Sequence, residues 1–199
     1  MIIYVTKKTA ERFGIDMSMD GVPEPNASII KALLERDTGS LLREWGANLF
    51  YFNGKKCLQV VNFASKFTLF IFDIKKSELQ YIGSAIMGYL FTLFEGDDEM
   101  IECLERMQRH DMIAIFEPLK NKSMIATLNH NMQDFAWDGE RFWDYIEDGT
   151  LNSVEINWRY NFDYIVRYKA LGYNDFYIPA ELFRKCVVET YGNKNVKPM

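Results

Sequence analysis

Residues 45–74 read WGANLFYFNGKKCLQVVNFASKFTLFIFDI, and this stretch decides the fold. From Ala47 to Phe52 aromatic and aliphatic side chains dominate, as in a segment packed on a pleated, half-buried surface. Asn53-Gly54 follows, the dipeptide that accepts the positive φ angles of a type I′ hairpin turn. Lys55 and Lys56 keep the tip in water, residues 57–63 form the returning strand, and Ala64-Ser65-Lys66 makes a second short connection. Residues 67–74 form a third strand. Its consecutive apolar residues, Leu69 to Phe72, imply burial on both faces and a central place in the sheet.

Working outward, residues 2–5 read as a short first strand and residues 7–13 as a helical turn or two. Pro23, Pro25 and Gly21 mark residues 14–26 as a loop. Asn26 or Ser28 caps a helix to about Arg36, with Ile29, Ile30, Leu33 and Leu34 on one stripe. A second short helix from about Ser40 leads into the sheet. Beyond it, Ser77 caps a helix carrying Leu79, Ile82, Ile86, Leu90 and Leu93, which Gly96 ends, and Asp97 opens another to about Arg109. Residues 112–116 and 124–128 read as paired strands around a tip at Lys120-Asn121-Lys122. Asn129 or Asn131 caps a helix broken near Asp138-Gly139, Asp148-Gly149 makes a turn, and helices over 154–166 and 180–188 flank a loop at 172–179. The expected architecture is a single α+β domain over residues 1–192, with a mainly antiparallel sheet (strands near 47–52, 57–63, 67–74, 112–116 and 124–128) covered by helices. Residues 193–199 are expected to form a flexible tail.

With 199 residues, 48% hydrophobic and 15% aromatic, the chain carries enough apolar surface for a sizeable core. Its net charge of −5 argues against general nucleic-acid binding, which needs a basic footprint. Cys57, Cys103 and Cys186 each lie in apolar context, as buried thiols of a reducing compartment do. The start, MIIYVTKKTAERF, places its charges after the apolar residues, the reverse of a signal peptide. No apolar run is long enough for a membrane span, so the expectation is a cytoplasmic, soluble protein.

Several short pieces lie in order along most of the chain: Trp45-Gly46-Ala47-Asn48-Leu49, Lys55-Lys56-Cys57, Asn62, Met132-Gln133-Asp134-Phe135-Ala136, Ile156-Asn157 with Asn161, and Tyr177-Ile178-Pro179-Ala180-Glu181-Leu182. Together they resemble a bacterial and phage-associated family of small proteins described as a domain of unknown function. The resemblance implies a compact cytosolic domain and brings no activity with it.

The chemistry-bearing residues are few. His110 and His130 fall in different expected elements, and the chain has no Cys-x-x-Cys, so no metal site and no cofactor is expected. Neither a Gly-x-Ser-x-Gly elbow nor a phosphate-binding glycine loop occurs. Cys57 follows two lysines that would activate a thiol if close, but its apolar strand favours an inert one. Acids cluster at Asp97-Asp98-Glu99, at Glu102 with Glu105, and at Asp144 with Glu147-Asp148, in patterns typical of helix starts and solvated faces. No catalytic residue is assigned.

Asn48 and Asn62 interrupt apolar strands, and Asn157 and Asn161 share a helix face. Buried amides must find partners. These four either tie loops and helices to the sheet or converge as a ligand-binding pocket. Three of the four tryptophans lie between Trp137 and Tyr168, more rings than one helical stripe hides, so Trp143 and Trp158 are expected interface anchors with Arg159 at the rim. The function expected is that of a non-enzymatic binding protein, of phage or mobile-element origin, with a protein partner or self-association. The alternative is an enzyme acting on nucleotides or nucleic acid through its clustered carboxylates and amides.

Overall fold

A five-stranded sheet in the order β4-β3-β2-β1-β5 forms the centre of the chain. The structure is a computed structural model that describes residues 1–18, 20, 22–111, 113–137, 141–167 and 176–192. The elements run β1 (Ile2–Val5), α1 (Lys7–Phe13), α2 (Asn26–Asp37), β2 (Glu44–Phe52), β3 (Lys55–Asn62), β4 (Thr68–Ile71), α3 (Ile82–Leu93), α4 (Asp98–Asp111), β5 (Ile115–Pro118) and α5 (Lys122–Trp137). A hairpin of β6 (Ile146–Glu147) and β7 (Thr150–Leu151) then precedes α6 (Ser153–Phe162), β8 (Val166–Arg167), β9 (Phe176–Tyr177) and α7 (Pro179–Tyr191). The expected tail, the first half of the expected 172–179 loop and the expected break at Asp138-Gly139 lie outside the described residues.

The β2–β3 hairpin turns where Asn53-Gly54 places it, with both residues at positive φ, and pairs from Trp45↔Asn62 to Phe52↔Lys55. The sheet is mixed, however, and not mainly antiparallel. β1 runs parallel to both of its neighbours, β2 and β5. Parallel neighbours need crossovers, which α1 with α2 supply on one side. Hairpin signals are local in sequence and crossover pairings are not, so residues 2–5 read as a minor strand although two partners flank them.

Two further expectations are corrected. Residues 124–128 are helical, not a strand: Asn121 Oδ1 accepts from Met124 N at 3.0 Å, capping α5, and Met124 and Leu128 stack one turn apart onto Val61 and Phe63. The approach is close, since a Cβ on Gly46 would lie 2.6 Å from Met124 Cγ. Within residues 67–74 only Thr68–Ile71 is strand, and it sits at the sheet's edge instead of its centre. All four of its residues are nevertheless buried. One face of the sheet packs on α1, α3, α4 and α7 through Val5, Trp45, Leu58, Val60, Leu69 and Ile71. The other carries α5, and on it α6 packs Ile156 and Tyr160 against Phe70.

The edge is closed by two amides. Asn157 Oδ1 accepts from Phe70 N at 2.7 Å and its Nδ2 donates to Phe70 O at 3.0 Å. Asn161 repeats this on Thr68, Oδ1 accepting from N at 2.8 Å and Nδ2 donating to O at 2.7 Å. The match is geometric. Four residues of helix rise about 6 Å, and two residues of strand advance about 6.6 Å. The carboxamide presents an acceptor and a donor side by side, as a neighbouring strand would.

A second polar knot holds the start of β1. Asp37 is fully buried and lies 3.3 Å from the Met1 α-amino group and 3.2 Å from Arg43 Nη1, while Arg36 grips both of its carboxylate oxygens. Burial alone would push this carboxyl up, but the bonds and charges of Arg36 and the α-amino group hold it below the usual carboxylate range. Gln59, by contrast, is buried with neither amide atom hydrogen-bonded.

Replacing Asn157 or Asn161 by Ala leaves a buried N–H and C=O of β4 without partners and is expected to cost about 2–4 kcal/mol in urea unfolding. Asp in either position, which cannot donate, is expected to behave similarly, whereas Gln59→Met is expected to be neutral or stabilising. The Asp37 contribution is present above the unfolded carboxylate value of about 3.9 and is lost as pH falls through the lower folded value. Melts across that window are expected to show a shallower acid decline for Asp37→Asn than for the wild type.

Candidate functional site

The C-terminal end of α3, the turn into α4, and the outer faces of α6 and α7 enclose a groove of about 310 Å³. Its floor is aromatic. Trp158 and Phe162, one helical turn apart, stack with centroids 5.5 Å apart and planes within 6°. Phe94 meets Phe162 at 5.4 Å and anchors the floor in the core. Trp158 remains 41% exposed.

The rim is charged. Arg184 donates from Nε to Asp97 Oδ2 at 2.5 Å and from Nη2 to Glu99 Oε2 at 2.7 Å, tying α7 to the start of α4. Asp97 Oδ1 also caps α4 by accepting from Met100 N at 3.1 Å. The Arg184 bond, more than any other influence, holds the Asp97 carboxyl below its ordinary value. Glu95 and Glu181 complete the rim as exposed acids. The groove is thus an apolar slot edged by negative charge.

Of the residues expected at an interface, Trp158 lies in this groove. Trp143 is 55% exposed but packs elsewhere, on Phe52 at 4.7 Å. Arg159 is half-buried, 3.9 Å from Asp163 Oδ2, on a different side of α6 from Trp158. The Trp137 side chain lies outside the described residues. The four asparagines do not line the groove. Asn157 and Asn161 sit together on β4. Asn62 is spent on Leu42 O and the turn at Ala64-Ser65, and Asn48 accepts from Thr6 Oγ1 at 3.2 Å.

The remaining chemistry is quiet. Burial pushes the Cys57, Cys103 and Cys186 thiols up, against nucleophilic activation. Arg106 holds Glu102 at 3.2 Å, and Arg141 holds Asp144 at 2.8 Å. Among the described residues no three His, Cys, Asp or Glu side chains assemble as a metal-binding group, and no helix is long and apolar enough to cross a membrane. Sequence reasoning missed Lys66, which is buried on the β3–β4 turn, donates to Thr127 Oγ1 at 2.8 Å, and is drawn down to about 8 by desolvation. It also missed Arg184. A Trp and a Phe one turn apart were a usable signal, but an arginine pairing across most of the chain leaves no local trace.

A mixed sheet closed by helices, with an aromatic groove on its helical side, defines the class: an α+β domain built around a surface slot. The family described as a domain of unknown function, DUF6933, matches residues 2–182, and the chain belongs to it. No curated protein matches the chain.

Acrylamide quenching is expected to separate the tryptophans, with Trp143 and Trp158 accessible and the buried Trp45 protected. Trp158→Ala, removing a half-exposed ring, is expected to cost only about 1–2 kcal/mol of folding stability.

Proposed function

We propose that the protein is a binding protein, not an enzyme, and that the Trp158 groove takes a short segment of a partner protein. One observation carries this reading: a stacked Trp158–Phe162 pair, partly exposed, floors a groove of about 310 Å³. Exposed tryptophan in a concave apolar setting is what interface anchors look like, and contacts around such an anchor that add little binding energy themselves serve to exclude water. The acidic rim selects the partner, favouring an apolar or aromatic side chain flanked by lysine or arginine. An accessory role in a mobile element, implied by the family resemblance, is compatible with such a module. In each carboxylate cluster that an enzyme would draw on, at least one acid is held by an arginine (Asp97 and Glu99 by Arg184, Glu102 by Arg106, Asp144 by Arg141), which weighs toward binding.

Selection from a random peptide library on the full chain tests this. Enriched peptides are expected to pair an apolar anchor with a basic neighbour and to shift Trp158 fluorescence. Trp158→Ala is expected to weaken them by about 2 kcal/mol, roughly 30-fold, at unchanged fold. Light scattering distinguishes a second copy of the chain from a foreign partner. Absence of enrichment, or equal binding by Trp158→Ala, overturns the proposal.

A further inference from the structure

A second cavity, of about 330 Å³, opens on the opposite face of the sheet beside the start of α5. Its chemistry differs from the groove's. Tyr4 and Phe63 form one wall, with rings 5.4 Å apart, and Leu41 and Leu119 add aliphatic surface. Glu44 lies against it only 6% exposed. One carboxylate oxygen, Oε1, accepts from Tyr4 OH at 3.0 Å and from Gly39 N at 2.9 Å. Among the described residues no cation pairs with Glu44, and Oε2 has no hydrogen-bond donor.

Register brings a second acid to the same place. Glu117 is the cross-strand partner of Tyr4 on β5 and lines the cavity. The Tyr4 hydroxyl feels both charges. It is pushed up to about 12, first by burial, then by its bond to Glu44 and by the charges of Glu44 and Glu117. Lys120 stands at the mouth, exposed, and pairs with neither acid.

A buried carboxylate without a counter-charge is costly, and two donors offset only part of that cost. The groups present state what would complete it: positive charge against Glu44 and Glu117, and an apolar stem against Leu41 and Leu119, with aromatic faces suited to a cation. We infer that this cavity binds an organic cation, a protonated amine or guanidinium on a short aliphatic stem, with Glu44 as buried counter-charge and Glu117 as its partner. The inference is independent of the Trp158 groove.

The test uses the full chain with n-hexylammonium and agmatine as probes, n-hexanol as the neutral control, and a peptide with an internal lysine. Both cations are expected to raise the melting temperature saturably and to shift the Tyr4 ring resonances, while hexanol does neither. Glu44→Gln is expected to abolish the response. Glu117→Gln is expected to weaken it about fivefold, and Glu181→Gln, in the other groove, to leave it intact. A response from the lysine peptide assigns the cation to a protein side chain, and a response confined to the free amines assigns it to a small molecule. If Glu44→Gln does not fold, Glu117→Gln decides alone. Equal responses to hexanol and hexylammonium, an unchanged Glu117→Gln, or no response to either cation overturns the inference.

Discussion

Two side-chain amides terminate the central sheet, and much of the structure depends on that termination. An edge strand displays a row of N–H and C=O groups that must meet water, another strand or a substitute. β4 cannot meet water, because it is buried between helical layers. Asn157 and Asn161 supply the substitute, and in doing so fix the height and rotation of α6. With α6 set, Tyr160 and Ile156 fall on Phe70, and Phe70 joins the aromatic group of Phe50, Phe72 and Phe142.

Charge is arranged around this frame with some economy. Asp37 gathers the α-amino group, Arg36 and Arg43 into a buried cluster, and Arg43 reaches on to Tyr191 at the end of α7. Arg184 does the corresponding work from the middle of α7 by holding Asp97 and Glu99. Glu44 is different. It is buried beside a cavity with hydrogen bonds but, among the described residues, no cation, and so stands apart from the acids that Arg36, Arg43, Arg106 and Arg184 neutralise.

What could be read from the sequence was what is local. Asn53-Gly54 placed the β2–β3 turn, Pro and Gly placed the loop after α1, and the heptad-like spacing of Ile82, Ile86, Leu90 and Leu93 placed α3. The parallel partners of β1 were not visible, since register between Ile2, Glu44 and Ile115 is set by tertiary packing. Residues 124–128 misled because Met-Ile-Ala-Thr-Leu suits a strand as well as a helix, and only the cap from Asn121 and the stack on Val61 decide it. At the sites, the importance of Asn157 and Asn161 was visible from their spacing, while their partners were not: nothing near residue 157 announces Phe70. The Trp158 groove was half visible, as an aromatic excess without its acidic rim. The Glu44 cavity was not visible, because Tyr4, Glu44 and Glu117 come from three separate strands.

Helix α6 carries the seal and the display on adjacent sides, since Asn157 faces β4 while Trp158, the next residue, faces the groove. A ligand seated on Trp158 therefore adds its binding free energy to every state in which α6 is docked, and to none in which α6 has lifted away. Local opening of the β4 edge and occupancy of the groove are thereby one linked equilibrium. The backbone amide of Phe70, deep in the protein, becomes a reporter for events on its outer surface.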